Sequence, residues 1–245
     1  MNKFLLTIAI LTVVLVSCGQ ADNNKIVFAS DCTWPPMEFI DAQGKLVGFD
    51  VDLVDAIAKA ANFEYEIRNV AWDGIFAGLA NNQYSAVISS VTITDERKQS
   101  MDFSIPYLNA GQVIVVRKGT QGEKLGDFIG KNVGAQIGTT GAIEVSKVQG
   151  VNLKGFDEIG LAFEALINGV IDAVICDSPV AADFALQRAE YKDKLTIASN
   201  LLTEEFYGIA VNKGNTKVLS KINEGLTKVL ADGTIDQLKA KWGLK

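Results

Sequence analysis

The 245-residue chain predicts an α/β fold built on mainly parallel sheets. Two observations carry this. Short apolar runs alternate with helical patterns as β-α-β-α-β over residues 25–88, which is the signature of strands joined by crossover helices. The same style of pattern then starts afresh after residue 111, so the chain carries two such units. A composition of 48% hydrophobic and 21% charged residues supplies a real core for both.

In order, Lys25 to Ser30 is a short apolar run bounded by polar residues and predicts a strand. Trp34-Pro35-Pro36 interrupts regular structure, and Ala42 to Lys45 predicts a turn between Met37–Asp41 and Leu46–Phe49. Val51, Val54, Ile57, Ala58 and Ala61 recur at helical spacing. Phe63 to Val70 predicts a strand, Trp72 to Ala80 a helix, and Ala86 to Ile88 a buried strand. Gly111 to Lys118 is a further strand. The second unit follows: strands at Asn132–Ala135, Val151–Phe156 and Ala173–Ile175, an extended segment at Leu195–Ala198, and helices at Ala142–Val148, Ile159–Asn168 and Pro179–Arg188. Phe206 to Val211 is one more strand, and helices at Lys217–Leu230 and Thr234–Lys241 close the chain. In sheets of this kind ligands sit outside the carboxyl ends of the strands. The unusual residues fall there: Asp31 to Pro36, Ala71-Trp72, and Ser89 to Arg97.

The first residues are of a different kind. Met1-Asn2-Lys3 is a short positive start, Phe4 to Val16 is an almost unbroken apolar run, and Ser17-Cys18 closes it. This order is that of a secretory signal, and the run is shorter than the about 20 residues a membrane span needs. The cysteine after a small residue resembles the bacterial lipoprotein signal, which implies cleavage after residue 17 and acylation of Cys18. Residues 18–24 are small and polar, as a tether is. The expectation is a protein anchored to a membrane through lipid only, on the extracytoplasmic face, in a periplasm or at a cell surface.

The formal charge is -6. No basic cluster exists that could neutralise phosphates, so nucleic acid is not an expected partner. There is no histidine. That removes Ser-His and Cys-His nucleophile pairs and His-ligated metal sites, and the three cysteines are too scattered for a metal pattern. No metal or cofactor is expected. Cys32 and Cys176 are expected as free thiols, with one disulfide as the other option.

Four segments stand together: Gly48-Phe49-Asp50-Val51-Asp52-Leu53; Ser85 to Ile88 with Thr92-Ile93-Thr94-Asp95-Glu96-Arg97-Lys98; Asp102-Phe103-Ser104; and Gly208-Ile209-Ala210-Val211. Their order and spacing resemble solute-binding protein family 3, the polar amino-acid-binding proteins of ABC importers, with the glutamine and the lysine/arginine/ornithine binders as the nearest in style. The resemblance runs from Lys25 to the C-terminus. Ser85 departs from the aspartate that the family often carries there. The resemblance implies the two-lobed type II periplasmic-binding-protein fold, with the lobes joined by two extended crossings. Lobe 1 is then residues 25–110 and 209–245, and lobe 2 residues 111–208. The crossings are expected near Gly111–Val116 and Glu204–Val211. A monomer is expected.

The resemblance also assigns roles. Arg97 would grip an α-carboxylate through its planar guanidinium; the bland alternative is a surface arginine in a charged first turn. Asp177 would pair with the α-ammonium, or cap the helix ahead of Pro179. Ser89, Ser90 and Thr92 would offer hydroxyl and backbone groups, faced by Thr139 and Thr140 at a helix start. Trp34 and Trp72 would flank the ligand side chain as a slot for a flat or cationic group, unless they simply pack in the core. Asp31 would meet the far end of that side chain, where it suits a guanidinium or ammonium and also accepts from a carboxamide. Gln136 would line the same end. Glu38 and Asp50 read as structural. The expected function is capture of a polar or basic L-amino acid, arginine or lysine ahead of glutamine, for an ABC transporter permease. Two alternatives remain open: a cleft enzyme of the cyclohexadienyl-dehydratase type, and a ligand sensor for a separate membrane protein.

Overall fold

The computed structural model describes residues 25–244. The predicted signal segment, Cys18 and the tether lie outside the described residues. The first strand, β1 (Lys25–Ser30), forms where the apolar run was read; it is followed by the short β2 (Thr33–Trp34), β3 (Glu38–Ile40) and β4 (Leu46–Val47), an antiparallel flap. Helix α1 (Phe49–Ala61) buries Val54, Ile57, Ala58 and Ala61 of the residues whose spacing predicted it, together with Leu53, while Val51 is half-buried. It begins after Gly48, whose φ of 138° and missing Cβ are both required: a Cβ there would lie 2.1 Å from the Met37 carbonyl oxygen. Asn62 ends it in the left-handed conformation.

Next come β5 (Glu64–Asn69), α2 (Trp72–Ala80), β6 (Ala86–Val87), the six-residue α3 (Asp95–Ser100), β7 (Met101–Phe103) and β8 (Leu108–Ala110). The second unit holds β9 (Gln112–Arg117), β10 (Asn132–Gln136), α4 (Thr140–Ser146), β11 (Asn152–Phe156), α5 (Ile159–Ile167), β12 (Ala173–Asp177), α6 (Ser178–Ala182), which runs on as a π-helical turn at Asp183–Gln187, and β13 (Leu195–Ile197). The chain then returns through β14 (Glu205–Tyr207) and β15 (Ala210–Asn212) to α7 (Thr216–Ala231) and α8 (Thr234–Lys241).

Two five-stranded sheets result, ordered β5-β1-β6-β15-β7 and β11-β10-β12-β9-β13. In the first, β1 is parallel to β5 and β6, and β15 runs against both β6 and β7. In the second, β10 is parallel to β11 and β12, and β9 runs against both β12 and β13. Every strand of each sheet except one therefore points the same way. The exceptions, β15 and β9, occupy the same place in the two orders. Each is the first strand its chain lays down after crossing between lobes.

The crossings themselves are β8 and β14, paired antiparallel from Leu108↔Tyr207 to Ala110↔Glu205. This corrects two expectations. The segment Gly111–Val116 is not a crossing; its apolar residues are buried on both sides because β9 lies inside the second sheet between β12 and β13. Phe206–Val211 is not one strand but two, β14 and β15, interrupted around Gly208. A Cβ on Gly208 would lie 2.8 Å from the Ile93 side chain, so the chain turns there into tight packing.

The two final helices pack on the first unit. Gly225 of α7 lets that helix meet α1 closely, since a Cβ would lie 2.6 Å from the Ile57 carbonyl oxygen. Cys32 and Cys176 are buried free thiols, and burial raises both above their ordinary range. No described helix is long and apolar enough to cross a membrane.

Candidate functional site

The parallel strands of both sheets end toward one cleft. Asp31 follows β1, Trp72 opens α2 just beyond β5, and Ser89, Ser90 and Thr92 follow β6. From the other lobe, Gln136 ends β10, Thr139 and Thr140 start α4, and Asp177 ends β12. These residues, with Trp34 of β2 and Arg97 of α3, line one cavity between the sheets. Glu38, read from sequence as structural, lines it too.

At one end Arg97 is placed by its own short helix. Thr94 caps α3, accepting from the Arg97 N–H at 3.1 Å. The guanidinium then donates from Nη1 to the Thr92 carbonyl at 2.9 Å and from Nη2 to the Gly138 carbonyl at 3.3 Å. It lies 5.4 Å from the Trp72 ring centre and 5.2 Å from that of Phe76. Trp72 thus supports the arginine as well as lining the cavity. Burial pulls the Arg97 pKa down, opposed by the Asp177 and Glu205 carboxylates. It is not the solvent-facing arginine of a charged turn.

Asp177 faces Arg97 from the other lobe. It stands at the N-cap position of α6, yet its side chain makes no capping bond. Its oxygens instead accept from Tyr207 Oη at 2.5 Å and from Gln112 Nε2. Burial pushes its pKa up to about 6, helped by repulsion from Glu205 and opposed by Tyr207, Gln112 and Arg97.

The hydroxyls of Ser89 and Ser90 are bonded to Glu38, which lines the same cavity. Ser89 Oγ donates to Glu38 Oε1 at 2.9 Å, and Ser90 Oγ to Glu38 Oε2 at 3.4 Å. Ser90 holds a left-handed φ of 49°, pinned by its N–H donating to Asp50 Oδ2 at 2.9 Å. Tyr107 Oη donates to the same Asp50 oxygen at 2.9 Å. Burial raises the Glu38 carboxyl well above its ordinary range and the Asp50 charge raises it further, while burial holds Asp50 at about 6 against the lowering effect of the Ser90 N–H, Tyr107 and Glu38. Both carboxyls thus shape the loop that follows β6.

At the far end, Asp31 Oδ2 accepts from Gln136 Nε2 across the cleft at 2.8 Å, and Thr33 Oγ1 donates to Oδ1 at 3.0 Å. Burial raises the Asp31 pKa; these two hydrogen bonds lower it, and Glu158 and Asp73 raise it further. Gln136 Nε2 also reaches the Asp157 carbonyl at 2.9 Å. Gln136 Oε1 and Trp34 Nε1 are buried with no hydrogen-bond partner among the described residues. A buried acceptor and donor left open in this way are costly unless something fills them. Thr139 uses its hydroxyl locally, capping α4 through the Ala142 N–H at 3.3 Å and donating to the Gln136 carbonyl at 2.7 Å.

Three residues behind the wall were not singled out from sequence: Gln112, Glu205 and Tyr207. All three are buried polar groups. The available signal was a glutamine opening the apolar run Val113–Val116 and a glutamate beside the strand-like Phe206–Val211. Neither pattern says that the two meet.

The family model of the bacterial extracellular solute-binding proteins, family 3, matches residues 26–245. The chain belongs to that family. This family-3 protein is 40% identical over 222 residues to a probable histidine-binding protein of Neisseria gonorrhoeae, covering 89% of this chain and 82% of that one. It is 33% identical over 230 residues to ABC transporter arginine-binding protein 1 of Escherichia coli K12, covering 91% and 93%. Among solved structures it is similar to an ancestral arginine-binding protein bound to glutamine, with a TM-score of 0.84 and 42% identity over 89% of this chain and 97% of that one. These relatives are binding proteins rather than enzymes, and they share the two-lobed type II fold.

Proposed function

We propose that the cavity holds a free polar or basic L-amino acid between closing lobes and that the protein delivers it to an ABC transporter permease. Arg97 takes the α-carboxylate. Asp177 takes the α-ammonium, with Thr92 and Thr140 beside it. The side chain runs past Trp34 and Trp72 toward Asp31 and Gln136. Arginine or lysine is favoured over glutamine, because Asp31 is a buried carboxylate with no cation against it among the described residues, and a guanidinium or ammonium would supply one. Glutamine remains the next choice, since Gln136 Oε1 and Asp31 both accept from a carboxamide. The protein works outside the cytoplasmic membrane as a monomer tethered through lipid on Cys18.

The observation that carries this reading is that Arg97 and Asp177, from opposite lobes, line one cavity and each acts on the other's charge. A zwitterion needs both signs of charge within a few ångströms, and each would be expensive to bury alone. Lobe 1 residues 25–110 and 209–245 and lobe 2 residues 111–208 are the bodies that open and close around it. Nothing in the cavity favours the dehydratase-type enzyme or the sensor over this reading. Glu38 is engaged with Ser89, Ser90 and Asp50, and Asp177 with Tyr207 and Gln112.

Thermal unfolding across the common amino acids, after the protein has been unfolded and refolded to strip carried-over ligand, tests the proposal. A ligand at a thousand times its Kd adds about 4 kcal/mol of stability. A shift with arginine or lysine supports the cationic slot. A shift with glutamine alone keeps the amino acid and rejects the cation. No shift with any amino acid rejects the proposal.

A further inference from the structure

Behind the α-group end of the cavity sits a carboxylate with no role in the grip just described. Glu205 lies on the crossing strand β14 and is 7% exposed. Its Oε2 accepts from Thr92 Oγ1 of the first lobe at 2.7 Å and from Thr140 Oγ1 of the second lobe at 2.8 Å. Gln112 Nε2 approaches the same oxygen at 3.4 Å, and Thr203 Oγ1 donates to Oε1 at 2.8 Å. Thr92 and Thr140 line the cavity; Glu205 does not. Each threonine hydroxyl therefore stands with the carboxylate behind it and the ligand space in front.

A hydroxyl has one proton and two lone pairs, and an ionised carboxylate can only accept. Both threonines thus commit their single proton to Glu205. Thr140 in addition accepts from Gln112 Nε2 at 3.1 Å. Toward the cavity the two hydroxyls have lone pairs left and no proton to donate. They can welcome an N–H and cannot donate to a carboxylate oxygen. The backbone carbonyl of Thr92 is meanwhile held by Arg97 Nη1, which fixes the residue's position from its other side.

We propose that Glu205 is a specificity-determining residue: by taking the protons of Thr92 and Thr140 it sets their hydrogen-bond polarity, so that the site demands a protonated α-amine and refuses analogues that lack one. This rests on the amino-acid reading above. It also couples the check to closure, because the two hydroxyls meet at one oxygen only when the lobes come together around β14. A site built of acceptors loses more by burying them unpaired than it gains from the rest of the ligand, and this is how polar sites reject isosteres.

The test is calorimetric binding of two pairs that differ only in the α-amine: arginine with 5-guanidinopentanoate, and glutamine with its des-amino analogue. The unmodified protein should prefer the amino acid by about a hundredfold or more in whichever pair it binds. Glu205→Ala frees both hydroxyls to rotate, and the preference should fall by about tenfold. Glu205→Gln keeps an acceptor oxygen and should restore most of it. A parallel loss for both members of a pair marks a merely structural role and overturns the proposal. Glu205→Gln behaving like Glu205→Ala also overturns it, in favour of plain charge attraction. If Glu205→Ala does not fold, Thr140→Val removes one hydroxyl without a charge and must lower the same ratio; an unchanged ratio is again fatal. Binding of no amino acid by the unmodified protein would remove the underlying reading, and this inference with it.

Discussion

The two ends of the cavity are built on different plans. Around Arg97 and Asp177 most polar atoms are already committed, Arg97 to Thr92 and Gly138, Asp177 to Tyr207 and Gln112, the threonines to Glu205, and Gln112 Oε1 is the buried acceptor left open there. The groups come from both lobes and from the crossing strand between them. Around Asp31 and Gln136 the network is sparse. One hydrogen bond crosses the cleft, and Gln136 Oε1 and Trp34 Nε1 stay open. A preorganised end costs little to use and tolerates little change, whereas an open end can take several shapes of side chain. The named relatives fit this contrast: their descriptions share an amino acid and differ in which one, histidine, arginine, or an arginine binder holding glutamine. The α-group end would then define the class of ligand and the far end its identity.

The sharpest way to break the comparison is Arg97→Ala. It should weaken every amino acid alike by a hundredfold or more, because losing one partner of a buried charged contact costs about 2–5 kcal/mol. Isothermal titration with a cationic and a neutral amino acid checks it, and retained affinity for either would remove Arg97 from the common grip. Asp31→Ala should act at one end only. Arginine or lysine should lose roughly ten- to a hundredfold (about 1.5–3 kcal/mol), while glutamine changes by only a few-fold. Equal losses for both would erase the distinction between the ends.

A milder effect follows from Asp177. Its pKa of about 6 in the folded protein means that an α-ammonium, which needs the carboxylate, meets a growing fraction of neutral acid as pH falls. Affinity for any amino acid should therefore drop by about tenfold between pH 7 and pH 5. Stability without ligand should move the other way. The folded form holds this proton more tightly than the unfolded chain does, so stability falls as pH rises from about 4 to 6 and is greater at pH 5 than at pH 7. Paired melts with and without ligand at the two pH values read both signs at once; a ligand-induced shift that grows toward pH 5 would contradict the assignment. The smallest expected effect is Trp34→Phe. Removing an unpartnered buried N–H costs the empty protein little, and ligand affinity should fall by a few-fold at most (under about 1 kcal/mol) unless the ligand uses that donor.

Much of this was legible in the residue order. The strand at Lys25–Ser30, the helix at Trp72–Ala80 and the second unit after Gly111 declare themselves through local periodicity. A helix face or a strand pleat repeats within a few residues, and burial of that face is a local property. Part of the cavity wall was legible for a related reason: Asp31, Trp72 and Ser89 to Thr92 follow strand ends, where a parallel sheet leaves its unusual side chains. Gln136, Thr139, Thr140 and Asp177 were reached only through the resemblance to the family.

What the sequence by itself determined is therefore the α/β alternation, the two units, and the charged and hydroxyl residues that a cleft would need. Only the tertiary structure decided that β9 belongs inside the second sheet while β8 and β14 make the crossings, since an apolar strand reads the same in either place. It alone bonded Ser89 and Ser90 to Glu38, and joined Thr92, Thr140 and Glu205 at one oxygen. These are meetings between residues 51 to 113 positions apart; a hydrogen bond depends on ångströms and direction, and neither is written in the order of residues along a chain.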